Sequence, residues 1–188
     1  IAAPSANRSG RISTTTAEAV VEDLGAAVSV VLNAGPCAIG VESTIVDLTG
    51  PAARLLRPGG LDRAEIERVL GTGLAAPPAD AGKAPVAPGL LASHYAPRAA
   101  VRLDAADVRP GEACLAFGPS LPAGADHAVA LENLSEAGDL NEAAATLFAA
   151  LRRLDGSGAA TIAVAPIPRT GIGEAIRDGG ANRVPVLA

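Results

Sequence analysis

The sequence contains no methionine and no tryptophan, and its aromatic residues are limited to two Phe and one Tyr. A natural chain begins with Met, so the absence of Met predicts that an N-terminal portion precedes Ile1 in the natural protein. Lys83 is the only lysine among fifteen basic residues. This preference for arginine indicates a bias of the source genome more than a function.

Positive charge and long apolar runs are also scarce. The formal net charge is −5, and no segment forms a basic stripe, which argues against general affinity for nucleic acid. No apolar run approaches the roughly 18 residues that a membrane span needs, and no secretory signal pattern is present. These absences predict a soluble, cytoplasmic protein without membrane partners.

Cysteine is rare as well, with only Cys37 and Cys114. They lie far apart, and no second pair or suitably spaced histidine accompanies them, so neither a disulfide framework nor a zinc site is indicated. We predict that both are buried free thiols.

The remaining composition is that of a folded protein. Hydrophobic residues make up 49% of the chain, enough for a core. In the first part, a capping-box pattern at Thr15 and Glu18 predicts a helix start, and β-branched runs between turn residues predict strands. The predicted elements are a helix at 16–24, a buried strand at Val28–Leu32, strands at Thr44–Leu48 and Arg54–Leu56, and a helix at Leu61–Leu70, packed through Ile66, Val69 and Leu70. Asp62 is expected to cap this second helix and Gly71 to end it.

The later part alternates strands with a helix, which predicts an α/β architecture of Rossmann-like type. Its predicted strands are Val101–Leu103, Ala113–Phe117, Ala128–Leu131 and Thr161–Ala165, and its clearest helix is Asn141–Leu154. Between the two parts the chain is rich in proline, which indicates a semi-rigid linker. The predicted domains are therefore 1–71 and 99–188, joined by a linker at 72–98.

Three segments carry candidate chemistry, each with a simpler alternative. The hydroxyl-rich stretch 4–16 is either an anion site at a helix start or a Ser/Thr-rich turn. Arg57, just before Gly59 and Gly60, either reaches a phosphate or is an exposed arginine at a sheet edge. The glycines of 170–173 are either part of a dinucleotide loop or the entry to a last helix, and the spacing favours the helix entry.

Four motifs together resemble one known family in order and spacing. They are PSANRSG at 4–10, GPCAIGVESTIVD at 35–47, LRPGG at 56–60 and HYAP at 94–97. The resemblance is to the YrdC-like family in its long, two-domain form, the threonylcarbamoyl-AMP synthases. It implies the later part of a YrdC-like twisted-sheet α/β catalytic domain, a linker that forms a lid, and a smaller Rossmann-like α/β accessory domain.

The resemblance also implies a reaction. L-Threonine and bicarbonate or CO2 would give a carbamate, whose carboxylate attacks the α-phosphate of ATP with loss of pyrophosphate. The threonylcarbamoyl-AMP would serve threonylcarbamoyladenosine modification of tRNA. ATP is then a substrate, Mg2+ is expected with it, and the expected macromolecular partners are tRNA-modification proteins and tRNA or double-stranded RNA.

Site residues follow from the resemblance position by position. Ser5, Asn7, Ser13 and Arg57 are expected to bind ATP or the adenylate, with Asn7 holding the loop and Arg57 neutralising phosphate. The backbone of Ala3, together with Ser43 and its neighbour Thr44, is expected to contact L-threonine. His94 and Tyr95 would fold over the nucleotide and exclude water. No catalytic nucleophile and no metal ligand is assigned.

The chain departs from the family pattern in one consequential way: the basic Lys-x-Arg element expected upstream of Ile1 is absent. We therefore expect this polypeptide alone to be inactive or nearly so. Two alternatives stay open, namely a nucleotide- or RNA-binding module without catalysis and a dinucleotide-dependent oxidoreductase built on 160–188.

Overall fold

Strands and helices alternate along the computed structural model, which describes residues 5–76 and 97–181. We call these ranges the N-terminal part and the C-terminal part. The helices are α1 (Ala17–Leu24), α2 (Arg63–Leu70), α3 (Leu140–Gly156) and α4 (Gly173–Ala181), and single 3₁₀ turns lie at Gly25–Ala27 and Ala125–His127. The strands are β1 (Ile45–Asp47), β2 (Arg54–Arg57), β3 (Ala100–Arg102), β4 (Ala113–Ala116), β5 (Leu131–Asn133) and β6 (Thr161–Val164). Within the two ranges, every helix is too short or too polar to cross a membrane.

The N-terminal part contains a two-stranded antiparallel sheet. Strand β1 pairs with β2, with Val46 opposite Leu55. Asp47 turns the chain after β1, because its carboxylate accepts hydrogen bonds from the amide and the hydroxyl of Thr49 at 2.9 and 2.7 Å. On the other edge of β2, the amide of Leu55 donates to the carbonyl of Ala75 at 3.0 Å. This small sheet carries Arg57 at the end of β2.

The C-terminal part contains a four-stranded parallel sheet in the order β3-β6-β4-β5. Parallel strands need crossover connections, and α3 provides the crossover from β5 to β6. Asp139 begins α3 by accepting hydrogen bonds from the amides of Asn141 and Glu142. The mixed α/β fold with a parallel sheet is as predicted.

One hydrophobic core joins the two parts. Helix α3 buries a face of seven residues, Ala143, Ala144, Leu147, Phe148, Ala150, Leu151 and Leu154, at helical spacing. The same core includes Ile12, which is 4% exposed, and Val41 packs against it. Two segments of the N-terminal part therefore rest directly on α3.

Two further contacts connect the parts. The Arg63 guanidinium, at the start of α2, donates to both carboxylate oxygens of Glu174 on α4, at 3.1 and 2.6 Å. Gly40 adopts φ +71, and a Cβ there would lie 2.5 Å from the Cα atom of Ala145 on α3. Only glycine allows this approach, since real side chains do not tolerate such contacts and the positive φ itself disfavours them.

The predicted positions of most elements are confirmed, and four details are wrong. Val28–Leu32 forms no strand, and Leu32 is 90% exposed, because the described ranges offer this run no partner strand. The third predicted strand of the C-terminal part lies later, at Leu131–Asn133. Thr16, not Thr15, caps α1.

The fourth error concerns α2. Asp62 caps this helix and Gly71 ends it as predicted, but none of its residues is buried, and Val69 is 73% exposed. The apolar spacing of Ile66, Val69 and Leu70 indicated a helix correctly without indicating how deeply the helix packs. Residues 77–96 of the predicted linker lie outside the described residues.

Candidate functional site

The loop before α1 is held together by its own side chains. The Asn7 side-chain amide donates to the carbonyls of Arg8 and Arg11, both at 3.1 Å, and the Ser5 hydroxyl donates to the Asn7 side-chain oxygen. The Thr14 hydroxyl donates to the carbonyl of Ala6 at 3.1 Å. Asn7 therefore closes the turn that leads to Ser13.

Ser13 is 5% exposed, and its hydroxyl donates to Oε1 of Glu42 at 2.6 Å. A hydrogen bond to an ionised acceptor is stronger than one between neutral groups. This contact joins the hydroxyl-rich loop to the segment 41–44, which lies 29 positions further along the chain.

Arg57, the last residue of β2, forms hydrogen bonds to the same segment from the other side. Its Nε donates to the carbonyl of Ser43 and its Nη2 donates to Oγ of Ser43, both at 2.9 Å. The same Nη2 lies 4.0 Å from Oε2 of Glu42. Arg57 is 7% exposed, so the interpretation as an exposed arginine at a sheet edge is wrong.

The side chain of Thr44 is also held by hydrogen bonds, but its partner is Leu61 and not another predicted site residue. Its hydroxyl donates to the carbonyl of Leu61 at 2.7 Å and accepts from the amide of the same residue at 3.1 Å. Gly59 lies so close to this segment that a Cβ would overlap the backbone between Ser43 and Thr44. The backbone of 42–44 is therefore held by Arg57, Leu61 and the glycine turn.

Two open clefts meet at this segment. The first, of about 510 Å³, is lined by Ser5, by residues 13–17, by parts of 31–42 and by Phe148 of α3. The second, of about 760 Å³, is lined by Ser43, Thr44 and mainly apolar neighbours. Glu42 lines both clefts. Of the residues predicted for the nucleotide, Ser5 and Ser13 line the first cleft, whereas Asn7 and Arg57 line neither cleft. Ser43 and Thr44, predicted for threonine, line the second.

The structure brings Ser13, Ser43 and Arg57 together around one residue that the prediction did not assign, Glu42. Its signal was in the sequence, because Glu42 is the only acidic residue between Gly35 and Thr44. A partly buried carboxylate needs partners to compensate its desolvation. The structure supplies two, the hydroxyl of Ser13 and the guanidinium of Arg57. Ala3, His94 and Tyr95 lie outside the described residues.

The cysteines are both free, but only Cys114 is buried. Cys37 is exposed, which corrects the prediction that both thiols are buried, and it lines the first cleft. Its amide donates to the carbonyl of Thr15 at 2.9 Å. The glycines at 171 and 173 precede and begin α4, as the helix-entry interpretation predicted.

The described side chains offer no ready metal site. Among residues 5–76 and 97–181, no group of three or more His, Cys, Asp or Glu side chains could hold a metal ion. The one carboxylate between the clefts, Glu42, is already engaged by Ser13 and faces Arg57. These residues do not form a metal cage of their own.

Comparison with family models gives two consecutive matches. Residues 61–179 match the model described as threonylcarbamoyl-AMP synthase, C-terminal domain, and residues 1–59 match the model described as telomere recombination. The first match alone covers more than half of the chain.

Curated relatives and a solved structure agree with these matches. The threonylcarbamoyl-AMP synthase of Bacillus subtilis is 33% identical over 192 residues, which cover 94% of this chain and 54% of the relative. The enzyme of the same name from Pyrococcus abyssi is 48% identical over 104 residues, 54% of this chain and 30% of the relative. The crystal structure of P. abyssi Sua5 complexed with L-threonine superposes with a TM-score of 0.77 at 33% identity, covering 98% of this chain and 59% of that one. The chain thus spans about half the length of the B. subtilis relative.

Proposed function

The chain belongs to the threonylcarbamoyl-AMP synthase family, and from this premise we propose that its site takes part in the ATP-dependent synthesis of threonylcarbamoyl-AMP. One observation carries the proposal: Glu42 and Ser43 lie where a cleft lined by several hydroxyl residues meets a mainly apolar one, and they are held by Ser13 on one side and Arg57 on the other. A site that joins two substrates needs two adjoining subsites.

The proposed reaction has two steps. In the first, the amine of L-threonine forms an N–C bond to CO2, which dehydration of bicarbonate supplies; one C=O π pair moves onto oxygen, the amine loses a proton to solvent, and a carbamate results. A carbamate oxygen then forms a bond to the α-phosphorus of ATP, and the bond to the β-phosphate oxygen breaks. Pyrophosphate leaves with that electron pair, and the product is the mixed anhydride threonylcarbamoyl-AMP.

The contribution of the chain to this reaction is positioning and charge. We propose that Ser5 and Ser13 bind the nucleotide in the first cleft, and that Ser43 contacts threonine in the second. The P. abyssi neighbour, whose structure is described as complexed with L-threonine, supports the second assignment. Holding two reactants in the correct relative orientation lowers the entropic part of the activation barrier. The hydrogen bonds from Arg57 to Ser43 would contribute by fixing a residue that orients threonine.

Arg57 has a second role in the proposal. Its guanidinium lies 4.0 Å from the carboxylate of Glu42, which lines both clefts, and we propose that it compensates negative charge developing on the α-phosphate. Mg2+ would enter bound to the triphosphate, where it neutralises phosphate charge, because substrate phosphates are usual ligands for this ion.

The remaining assignments are proposals too. We infer that Ala3, Asn7 and Thr44 complete the two subsites, that His94 and Tyr95 cover the nucleotide, and that 1–71, 72–98 and 99–188 act as catalytic domain, linker and accessory domain. The product would pass, in the cytoplasm, to proteins that modify tRNA. The family membership supports these assignments.

The test measures pyrophosphate release from ATP, with L-threonine and bicarbonate present or each omitted. It uses the 188-residue chain and an extended protein, meaning the same reading frame continued upstream to a Met codon. We expect threonine-dependent release by the extended protein and little by the chain. ATP binding without release by either protein would contradict the proposal and favour a nucleotide-binding module.

A further inference from the structure

Arg152 lies on α3, in the C-terminal part, and its guanidinium enters the N-terminal part. Its Nη2 donates to the carbonyl of Ile12 at 2.9 Å, and its Nε approaches the carbonyl of Ser13 at 3.4 Å. Its main acidic partner is Asp23 at the end of α1, with contacts of 3.0 Å from Nη1 and 2.7 Å from Nη2, and the exposed Glu22 lies farther away, with Oε2 at 3.9 Å from Nη1. The Arg152 side chain is only 16% exposed.

The two carbonyls that Arg152 holds flank Ser13. Each carbonyl belongs to a peptide plane, and the planes before and after a residue determine the direction of its Cα–Cβ bond. The Ile12 side chain is fixed in the core at 4% exposure. Arg152 therefore fixes the backbone from which the Ser13 hydroxyl reaches Glu42 at 2.6 Å.

Asp23 connects Arg152 to the start of the loop, at Arg8. The Arg8 amide donates to Oδ2 of Asp23 at 3.3 Å, and the Arg8 Nε donates to the Asp23 carbonyl at 2.7 Å. Burial raises the pKa of the Asp23 carboxyl, but the hydrogen bonds from Arg152 and Arg8 outweigh it and leave the pKa below its ordinary value. An ionised Asp23 thus binds Arg8, at the start of the loop, and also Arg152, which holds the end of the loop at residues 12 and 13.

We propose that Arg152 is a positioning residue of the nucleotide subsite: it holds the loop 8–13 so that the Ser13 hydroxyl faces Glu42 and the first cleft. The inference rests on the proposed function, and it gives the C-terminal part a direct role in nucleotide binding. Phe148, one turn earlier on α3, lines the same cleft, so this helix both walls the subsite and orients its loop.

The chemistry of arginine suits this role. The hydrogen-bond acceptors of Arg152 are two carbonyls and the carboxylate of Asp23. A planar guanidinium can donate to several acceptors at once in a fixed fork. A lysine ammonium at the same place keeps the charge and the reach to Asp23 but loses the fork. Arg152→Lys should therefore rescue part of the effect, whereas Arg152→Gln should not.

The next residue of α3 supplies a matched control. Arg153 donates to both carboxylate oxygens of Glu132, at 2.6 and 2.8 Å, and is 57% exposed. Arg153→Gln removes the same charge and one ion pair from the same helix. Its effect measures what the loss of any arginine on α3 does to the protein.

The experiment compares R152Q, R152K and R153Q in the extended protein. Two quantities are measured: KM for ATP against kcat, and hydrogen exchange of peptides that cover residues 9–16. For R152Q we expect KM for ATP to rise about tenfold, as for the loss of hydrogen bonds to a charged group, with a smaller change in kcat and faster exchange at 9–16. R152K should lie between, and R153Q should resemble the wild type.

Equal effects of R152Q and R153Q on KM and on exchange would overturn the inference. If the wild type releases no pyrophosphate, the proposed function fails, and the exchange comparison still decides whether Arg152 holds the loop. If R152Q does not fold, Asp23→Asn weakens the same network from its other side. Faster exchange at 9–16 in D23N supports the inference, and unchanged exchange overturns it.

Discussion

Arg57 donates to both the carbonyl and the hydroxyl of Ser43, each at 2.9 Å. This double contact fixes the position of Ser43, the candidate residue for binding L-threonine. The two residues come from different segments, β2 and the stretch before β1. Because Ser43 is adjacent to Glu42, the same contact also fixes the carboxylate that accepts the Ser13 hydrogen bond. The two clefts are thus connected through one peptide segment.

Arg57→Lys should lower threonine-dependent pyrophosphate release about 10²-fold, the scale seen when one preorganised donor is removed from an active site. Lysine keeps the charge but cannot make both contacts to Ser43 in one plane. We expect KM for threonine to rise more than KM for ATP. Arg54→Lys is the control, since Arg54 lies on the same strand and donates to the carbonyl of Ala76 instead. Equal activity of R57K and R54K would contradict the role of Arg57.

Gly59→Ala should displace the segment 42–44, because the added Cβ would overlap the backbone between Ser43 and Thr44. Overpacking of this kind costs about 1–3 kcal/mol of unfolding free energy, and we expect activity to fall more steeply than stability. Gly50→Ala is the matched control, since no atom lies within 4 Å of its added Cβ. Thermal unfolding and pyrophosphate release are measured for both variants. A G59A protein as active as G50A would show that this close approach is unimportant.

The sequence predicted the regular elements well, since caps and hydrophobic periodicity are local. Asp62 and Gly71 marked the ends of α2, and the apolar spacing of 141–154 marked α3. Depth of burial depends on distant partners, so the exposure of Leu32 and Cys37 was not predicted.

The site shows the same division between local and distant information. The predicted site residues Ser13, Ser43 and Arg57 do come together, but the contacts that connect them are not local. Glu42 lies within the motif at 35–47, but the sequence alone indicated no role for it. Arg152 acts across 140 positions on the Ile12 carbonyl, and no motif marked it. Such pairs follow only from the fold.

Cys37 provides a reporter for the first cleft. Alkylating reagents attack the thiolate of accessible cysteines, and Cys37 is exposed in the cleft. Burial, and to a lesser extent Glu112, raises the pKa of the Cys114 thiol. We expect iodoacetamide to label Cys37 and not Cys114, and ATP to slow that labelling in the extended protein. Peptide mapping with and without ATP measures this, with Cys37→Ser as control. Labelling that ATP leaves unchanged would argue against nucleotide in the first cleft.

Glu112→Gln should destabilise the C-terminal part. Both Glu112 oxygens accept from Arg102, at 3.0 and 2.5 Å, and the two side chains are 9% and 12% exposed. Loss of one partner of a buried pair is costly, and we expect about 2–3 kcal/mol because Asp107 still pairs with Arg102. The exposed Glu136→Gln is the control, and denaturant unfolding is the measurement.

The same ion pair predicts an acid dependence. The hydrogen bond from Arg102 lowers the pKa of the Glu112 carboxyl below its ordinary value of 4.5. Its stabilising contribution is therefore complete above pH 4.5 and is lost as the pH falls through the lower pKa of the folded state. The unfolding free energy of E112Q should depend less on pH below 4.5 than that of the wild type. Parallel curves would exclude this ion pair as a source of acid sensitivity.

The central claim is that the site joins a threonine carbamate to AMP, and detection of the product tests it most directly. The extended protein is incubated with ATP, L-threonine and 13C-bicarbonate, and the products are analysed by mass spectrometry. The account predicts a species with the mass of threonylcarbamoyl-AMP that carries one 13C atom, formed together with pyrophosphate and absent without threonine. Pyrophosphate formed with no 13C-labelled adduct of AMP and threonine would contradict it.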